Sequence, residues 1–185
     1  MQSAGFVLVG GDSSRMGRDK ALLPLKSGLL IHEVAGKVAD ACGTVALIGE
    51  PERYRHLGID CLADLRPRMG PLAGIETALE SGRGELNLIV ACDMPGLDTD
   101  WLRRLLRKAR ESQALCVASA ERGAIVHPLC AVYGTNCLPL VRKALNAGQL
   151  RLLDVLRELG AATLEISAMS NINTPQQWAA YKQAH

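Results

Sequence analysis

Apolar positions fall in short blocks along this chain, and the spacing inside each block separates strands from helices. Phe6 to Val9 is an apolar run of strand length that breaks at once into a loop of glycines, serines and charges. It predicts a buried strand. From Leu30 to Cys42 the residues Val34, Val38 and Cys42 return at helical spacing, whereas Thr44 to Ile48 is β-branched and apolar enough for a second strand. Cys61 to Leu65 suggests a third. Pro71 suits the first turn of a helix reaching Glu80, and Leu86 to Ala91 reads as a central parallel strand covered on both faces. Asp98 or Thr99 would cap a helix to Glu111 whose stripe is Trp101, Leu102, Leu105 and Leu106. Leu115 to Ala118, Pro128 to Tyr133 and Thr163 to Ile166 read as strands. Asn136 to Ala147 and Leu152 to Leu159 read as helices, and Thr174-Pro175 opens a last one carrying Trp178 and Tyr181. Strands and helices alternating in this way predict an α/β, Rossmann-like domain over residues 1–185. Its core would be a mostly parallel twisted sheet of about seven strands with helices on both faces.

Composition narrows the partners more than the fold. The 185 residues carry 21 basic and 19 acidic side chains, a net charge of +2, which offers no whole-protein field for nucleic acid or a membrane surface. Attraction for anions is therefore expected to be local, around Arg15, Arg18, Lys20 and Lys26 and again at Arg66 and Arg68. The six cysteines lie mostly in apolar runs, with no C-x-x-C pair and no zinc-like spacing to histidine. They read as small core residues of a reducing compartment. A strand entered by residue 6 leaves no room for a secretory leader, and no apolar run approaches the roughly 20 residues of a membrane helix. A cytoplasmic location is the expectation.

In an open α/β sheet, ligands bind beyond the carboxyl ends of the strands, and three polar clusters fall there. The first is Gly10 to Lys20, where glycines let backbone N–H groups approach an anion while Arg15 and Lys20 supply positive charge. It is neither a P-loop nor a G-x-G-x-x-G loop, and a simple glycine turn is the alternative. The second is Asp64 with Arg66 and Arg68. The third is Cys92-Asp93-Met94-Pro95, in which Asp93 ends the most apolar strand, where an unpaired carboxylate is costly. Mg²⁺ on its oxygens would offset that cost, because this ion uses one or two carboxylates plus substrate phosphates; a turn-shaping aspartate is the bland alternative. A glycine cradle, a lysine and a metal carboxylate together imply a nucleoside triphosphate, with catalysis by positioning and charge neutralisation at the α-phosphate. The four histidines are scattered. His127 stands before Pro128 at a strand start, where it either lines a pocket or shapes a turn.

Gly10-Gly11-Asp12-Ser13-Ser14-Arg15-Met16-Gly17-Arg18-Asp19-Lys20-Ala21-Leu22-Leu23 resembles the signature loop of the nucleotidyltransferases that modify the molybdenum cofactor. Gly10-Gly11 and Gly70-Pro71-Leu72-Ala73-Gly74-Ile75 are similar to its guanylyltransferase branch, whereas the cytidylyltransferase branch usually has Ala-Gly and lacks the second motif. Cys92 to Pro95, the strand His127 to Tyr133, the Gly-x-x-Arg of Gly148 to Arg151 and Asn171-Ile172-Asn173-Thr174-Pro175 match as well. The resemblance implies a fold of the nucleotide-diphospho-sugar transferase type. It also implies a reaction that joins GMP from GTP to the terminal phosphate of molybdopterin, or its metal-loaded form, releasing pyrophosphate. By carry-over, Leu8, Val9, Gly10 and Gly11 contact the nucleotide, Asp64 lies on its side of the site, and Arg15, Lys20 and Asp93 are catalytic, with Asp93 binding Mg²⁺. Asn171 and Asn173 would face the substrate, though Asn-x-Asn-Thr-Pro is equally a turn and helix cap. Cofactor-delivery and molybdoenzyme-chaperone proteins are the implied partners.

Two positions depart from the family pattern. Val9 stands where alanine is usual, and Gly49-Glu50-Pro51 occupies the place of an asparagine after the second strand. The alternatives are a related enzyme using CTP on molybdopterin or activating a sugar or lactate phosphate, and a nucleotide-binding regulatory protein without turnover.

Overall fold

A computed structural model describes residues 1–10, 19–26, 28–121, 125–166, 172 and 174–184. Its centre is a seven-stranded sheet built from β1 (Ser3–Leu8), β2 (Ala46–Gly49), β3 (Cys61–Ala63), β4 (Leu86–Ala91), β5 (Cys116–Glu121), β6 (Ile125–Gly134) and β7 (Ala162–Ile166). Across the sheet the order is β3-β2-β1-β4-β6-β5-β7. Every neighbouring pair is parallel except those of β6, which runs antiparallel to both β4 and β5. The expected mostly parallel sheet is therefore present, with one strand reversed. Apolar periodicity says how a strand is covered but carries no information on its direction.

Helices α1 (Leu30–Cys42), α2 (Pro51–Tyr54), α3 (Pro71–Glu80), α4 (Thr99–Glu111), α5 (Leu138–Asn146), α6 (Leu152–Glu158) and α7 (Pro175–Ala184) lie between and after the strands, and a short antiparallel ribbon of Pro24–Leu25 with Gly28–Leu29 precedes α1. Alternate side chains of the strands divide the core into two layers, as the pleat requires. Val7, Leu47, Leu88, Val90, Val117 and Val132 pack under α1 and α4, while Phe6, Ile48, Ile89, Ala131 and Tyr133 pack under α3, α5 and α6. Helices thus cover both faces. No helix among the described residues is long and apolar enough to cross a membrane.

Boundaries move where small or polar residues disguise the pattern. The first strand starts at Ser3, because Ala4 is small yet buried, and the third stops at Ala63. The central run contains Asn87, fully buried, whose amide donates to the carbonyls of Gly84 and Tyr133 at 3.2 and 3.3 Å. The helix expected from Asn136 begins as a 3₁₀ turn over Thr135–Cys137 before α5. At the start of α7, Thr174 and Gln177 exchange hydrogen bonds between side chain and backbone, the reciprocal arrangement of a capping box.

Candidate active site

From β1 the chain moves outward through β2 and β3, then returns to place β4 on the other side of β1. That reversal puts a topological switch point at the carboxyl ends of β1 and β4, the position of the ligand crevice in open α/β sheets. The two sharpest sequence motifs follow these two strands. Lys20 Nζ lies 3.1 Å from Asp93 Oδ2, with the two side chains only 17% and 19% exposed. Charges this shielded interact more strongly than surface pairs, so the contact ties the end of one loop to the start of the other.

Asp19 holds Lys20 in place. Its carboxylate caps the 3₁₀ turn Lys20–Leu22 by accepting from the Ala21 N–H at 3.1 Å, and it also accepts from the Tyr54 hydroxyl at 2.7 Å and pairs with Arg53 at 2.8 Å. Tyr54 is fully buried, and burial followed by the hydrogen bond to Asp19 holds its phenol far above the ordinary range. Sequence reasoning did not single out Asp19, Arg53 or Tyr54. The visible signal was the Asp19-Lys20 dipeptide just before an apolar Ala21-Leu22-Leu23, a capping position.

The loop of Asp93 is gripped from both sides. The Ile172 N–H donates to the Asp93 carbonyl at 2.8 Å, and Lys37 Nζ donates to the Pro95 carbonyl while pairing with Glu33 at 2.7 Å. Tyr181 on α7 donates to the same Glu33 carboxylate at 2.7 Å. The carboxyl-terminal segment therefore reaches the site through Ile172. Asn171 and Asn173, on either side of it, lie outside the described residues, as do Gly11 and Arg15.

Leu8 packs its side chain into the layer beneath α3, and its carbonyl accepts from the Cys92 N–H at 3.2 Å. Gly10 is exposed and has φ +84°, a left-handed conformation that disfavours a side chain. The two departures from the family pattern meet each other. A Cβ on Gly49 would stand 2.8 Å from Val9 Cγ2, 3.0 Å from Val9 O and 3.3 Å from Tyr54 Cε2. The larger side chain at position 9 thus fills the space left by the missing one at 49.

The cluster after β3 divides. Asp64 is half-buried, and burial pushes its carboxyl up against the opposing hydrogen bond from the Arg66 N–H. It sits two strands from β1, on the order of 10 Å at the usual strand spacing. Arg66 does not serve as an anion site. Its guanidinium makes a two-point contact with Glu76, at 2.8 and 3.1 Å, and donates to Asn146 at 2.7 Å, while Glu76 is 3% exposed and also takes Arg142. The expectation of a second local cation patch is corrected on this point, because a nearly buried carboxylate demands a partner. Arg68 is exposed with φ 66°, the only positive φ at a non-glycine residue among those described. Arg151 is also exposed, 4.0 Å from Asp154 at the start of α6.

No thiol competes as a nucleophile. All six cysteines are free, and burial, aided by the charges of Asp93 and Asp19, pushes Cys92 up to about 12. His127 is not in a turn; it lies within β6 and pairs with Glu121 at 2.9 Å. The arrangement sets a lysine and a carboxylate side by side at the carboxyl edge of the sheet, and among the described residues no acyl-transfer constellation accompanies them.

The family model described as the MobA-like NTP transferase domain matches residues 5–163. A probable molybdenum cofactor guanylyltransferase of Flavobacterium johnsoniae is 32% identical over 91% of this chain and 87% of its own. Another from Pelotomaculum thermopropionicum is 33% identical over 95% of this chain and 89% of its own. The crystal structure of molybdopterin-guanine dinucleotide biosynthesis protein A from Archaeoglobus fulgidus superposes with a TM-score of 0.84 at 21% identity, covering 98% and 97% of the two chains. The structure of CMP:2-keto-3-deoxy-manno-octonic acid synthetase with CTP reaches 0.83 at 14% identity, covering 100% and 98%, a likeness of fold alone.

Proposed function

Since the chain belongs to the MobA-like NTP transferase family and is a nucleotidyltransferase, we propose that it transfers GMP from GTP to the terminal phosphate of molybdopterin. The observation that carries this reading is the shielded Lys20–Asp93 pair across the crevice between β1 and β4. An oxygen of the acceptor phosphate attacks the α-phosphorus of GTP, a new P–O bond forms, and the bond to the bridging oxygen breaks to release pyrophosphate. The attacking oxygen is already ionised at neutral pH, so no protein base is needed. Lys20 contributes positive charge where the phosphate oxygens gather, and Asp19 keeps it there through the cap, Tyr54 and Arg53. Gly10 opens the loop after β1, the side assigned to the nucleotide together with Val9, Gly11 and Asp64. Arg15 would add charge to the same loop, and Asn171 and Asn173 would bring the carboxyl-terminal segment to the substrate.

The donor set suits Mg²⁺. Among the described residues no group of three or more His, Cys, Asp or Glu side chains gathers, which excludes an all-protein cage there and leaves Asp93 as a single carboxylate at the edge. Mg²⁺ held by Asp93 would supply Lewis-acid stabilisation of charge on the phosphates. GTP over CTP is supported by the names of relatives that share about a third of their residues with this chain. Cytoplasmic turnover, with delivery and molybdoenzyme-chaperone proteins as partners, belongs to the same reading.

A thermal-shift panel tests it. GTP with Mg²⁺ is expected to raise Tm more than CTP or ATP with Mg²⁺; equal or greater protection by CTP contradicts the guanylyl assignment.

A further inference from the structure

Strand β6 contains an irregularity that positions one side chain. Along the ladder with β5, Ala118 pairs with Ala131 but the next residue, Ser119, pairs with His127. Pro128, Leu129 and Cys130 are therefore accommodated without a residue opposite them on β5. Tyr133, 1% exposed, donates its hydroxyl to the Pro128 carbonyl at 2.8 Å and pins the irregular stretch from within the core. Bulges of this kind re-aim side chains and concentrate beside active sites. Here the residue delivered is His127, whose Nε2 meets Glu121 Oε1 at 2.9 Å, with the two side chains 12% and 22% exposed.

Topology sets this pair beside the nucleotide site. Strand β5 runs parallel to β7 and antiparallel to β6, which is itself antiparallel to β4. Glu121 at the end of β5 and His127 near the start of β6 thus lie on the same edge of the sheet as Asp93. The β4–β6 ladder ends at the pair Val90–Cys130, with Asp93 three residues beyond Val90 and His127 three residues before Cys130. His127 shares the face of its ladder partner Ser119, a buried residue that accepts from Trp101 Nε1 at 3.0 Å on α4. Lys20, in the turn that follows β1 in the chain, already meets Asp93, so the β6 side is left for the attacking substrate.

We propose that Glu121 and His127 form the acceptor half of the site, recognising the phosphate monoester of the second substrate. Glu121 accepts the Nε2 hydrogen and so fixes the ring, and Nδ1, carrying the second proton of the imidazolium, donates to a phosphate oxygen. The pair is a positioning and specificity element; the bond changes remain those of nucleotidyl transfer, on whose reading this assignment rests.

The test is steady-state kinetics of the full chain with GTP, Mg²⁺ and molybdopterin, beside GTP-induced thermal protection as a readout that needs no acceptor. His127→Ala is expected to raise the KM for molybdopterin about tenfold or more, as for loss of a hydrogen bond to a charged group, while the KM for GTP stays within about twofold. GTP protection should be unchanged. Glu121→Gln, which keeps the side chain's shape, is expected to give a smaller rise in the same KM and serves where His127→Ala folds poorly. An unchanged acceptor KM in both variants, or equal loss of GTP protection, overturns the pair's role while leaving nucleotidyl transfer standing. Absence of GMP transfer by the wild-type chain overturns both.

Discussion

Two ion pairs at the same edge of the sheet look alike in the sequence and differ in what they do. Lys20–Asp93 and Arg66–Glu76 each join a basic residue in a loop after a strand to a carboxylate that is largely shielded. The first bridges two loops across the crevice where the strand order reverses, and both of its members stand at the rim. The second reaches back into α3, where Glu76 is 3% exposed, and is closed further by Asn146 and Arg142 from α5. A charged pair can serve a ligand when its charges meet in the crevice. When one member is buried in a helix packed on the sheet, the pair braces the fold.

Asp93→Asn should separate the two roles most sharply. Pyrophosphate release is expected to fall by at least about 10²-fold, the scale for removing one electrostatic contributor to a transition state, with Tm close to wild type. A variant that turns over at the wild-type rate would remove Asp93 from the chemistry. Arg66→Met should do the converse. It leaves Glu76 shielded with only Arg142 beside it, and a loss of about 3 kcal/mol in urea unfolding is expected, with turnover per folded molecule unchanged. A catalytic defect without a stability change would move Arg66 back to the site.

The rim itself can be sharpened through Val9 and Gly49. Gly49→Ala forces a Cβ to within 2.8 Å of Val9 Cγ2, and a loss of about 1–3 kcal/mol is expected from overpacking. Val9→Ala in the same chain should recover part of it, and only part, because the Val9 carbonyl is also 3.0 Å away. Additive losses in the double variant would show that the two residues are not coupled.

The smallest effect near neutral pH comes from the thiols. Cys42, Cys92 and Cys137 are pushed up to about 12 from 9.0, chiefly by burial. Above pH 9 the unfolded chain loses these protons and the folded chain keeps them, so stability falls as pH rises, by up to about 1.4 kcal/mol per unit for each thiol, and is unaffected below that range. Urea midpoints measured from pH 7 to 10 check the sign. A midpoint that rises above pH 9 would contradict buried, protonated thiols.

Much of the site's framework is legible in the sequence. Strands β1 and β4 announce themselves as apolar runs, and the polar residues that end them, Gly10 and Asp93, mark the carboxyl edge because the chain must turn there. Of the two candidate caps, Asp98 and Thr99, Asp98 is the cap, accepting from the Asp100 N–H at 3.1 Å. What could not be read depends on residues distant in sequence. Arg66 and Arg68 follow a strand just as Lys20 does, and only the packing of α3 and α5 shows where the Arg66 guanidinium goes. The meeting of Val9 with Gly49 and the grip of Asp19 on Tyr54 are long-range in the same sense. The reversal of β6 leaves its apolar content unchanged, and its irregularity is a property of register, which a single strand does not encode.

The most direct measurement is the mass of the product formed by the wild-type chain with molybdopterin, Mg²⁺ and an equimolar mixture of GTP and CTP. The GMP adduct with one pyrophosphate released per product is the expected result, lost in Asp93→Asn. A CMP adduct, or a product that forms equally well in Asp93→Asn, would contradict the assignment of the Lys20–Asp93 crevice as a guanylyl-transfer site.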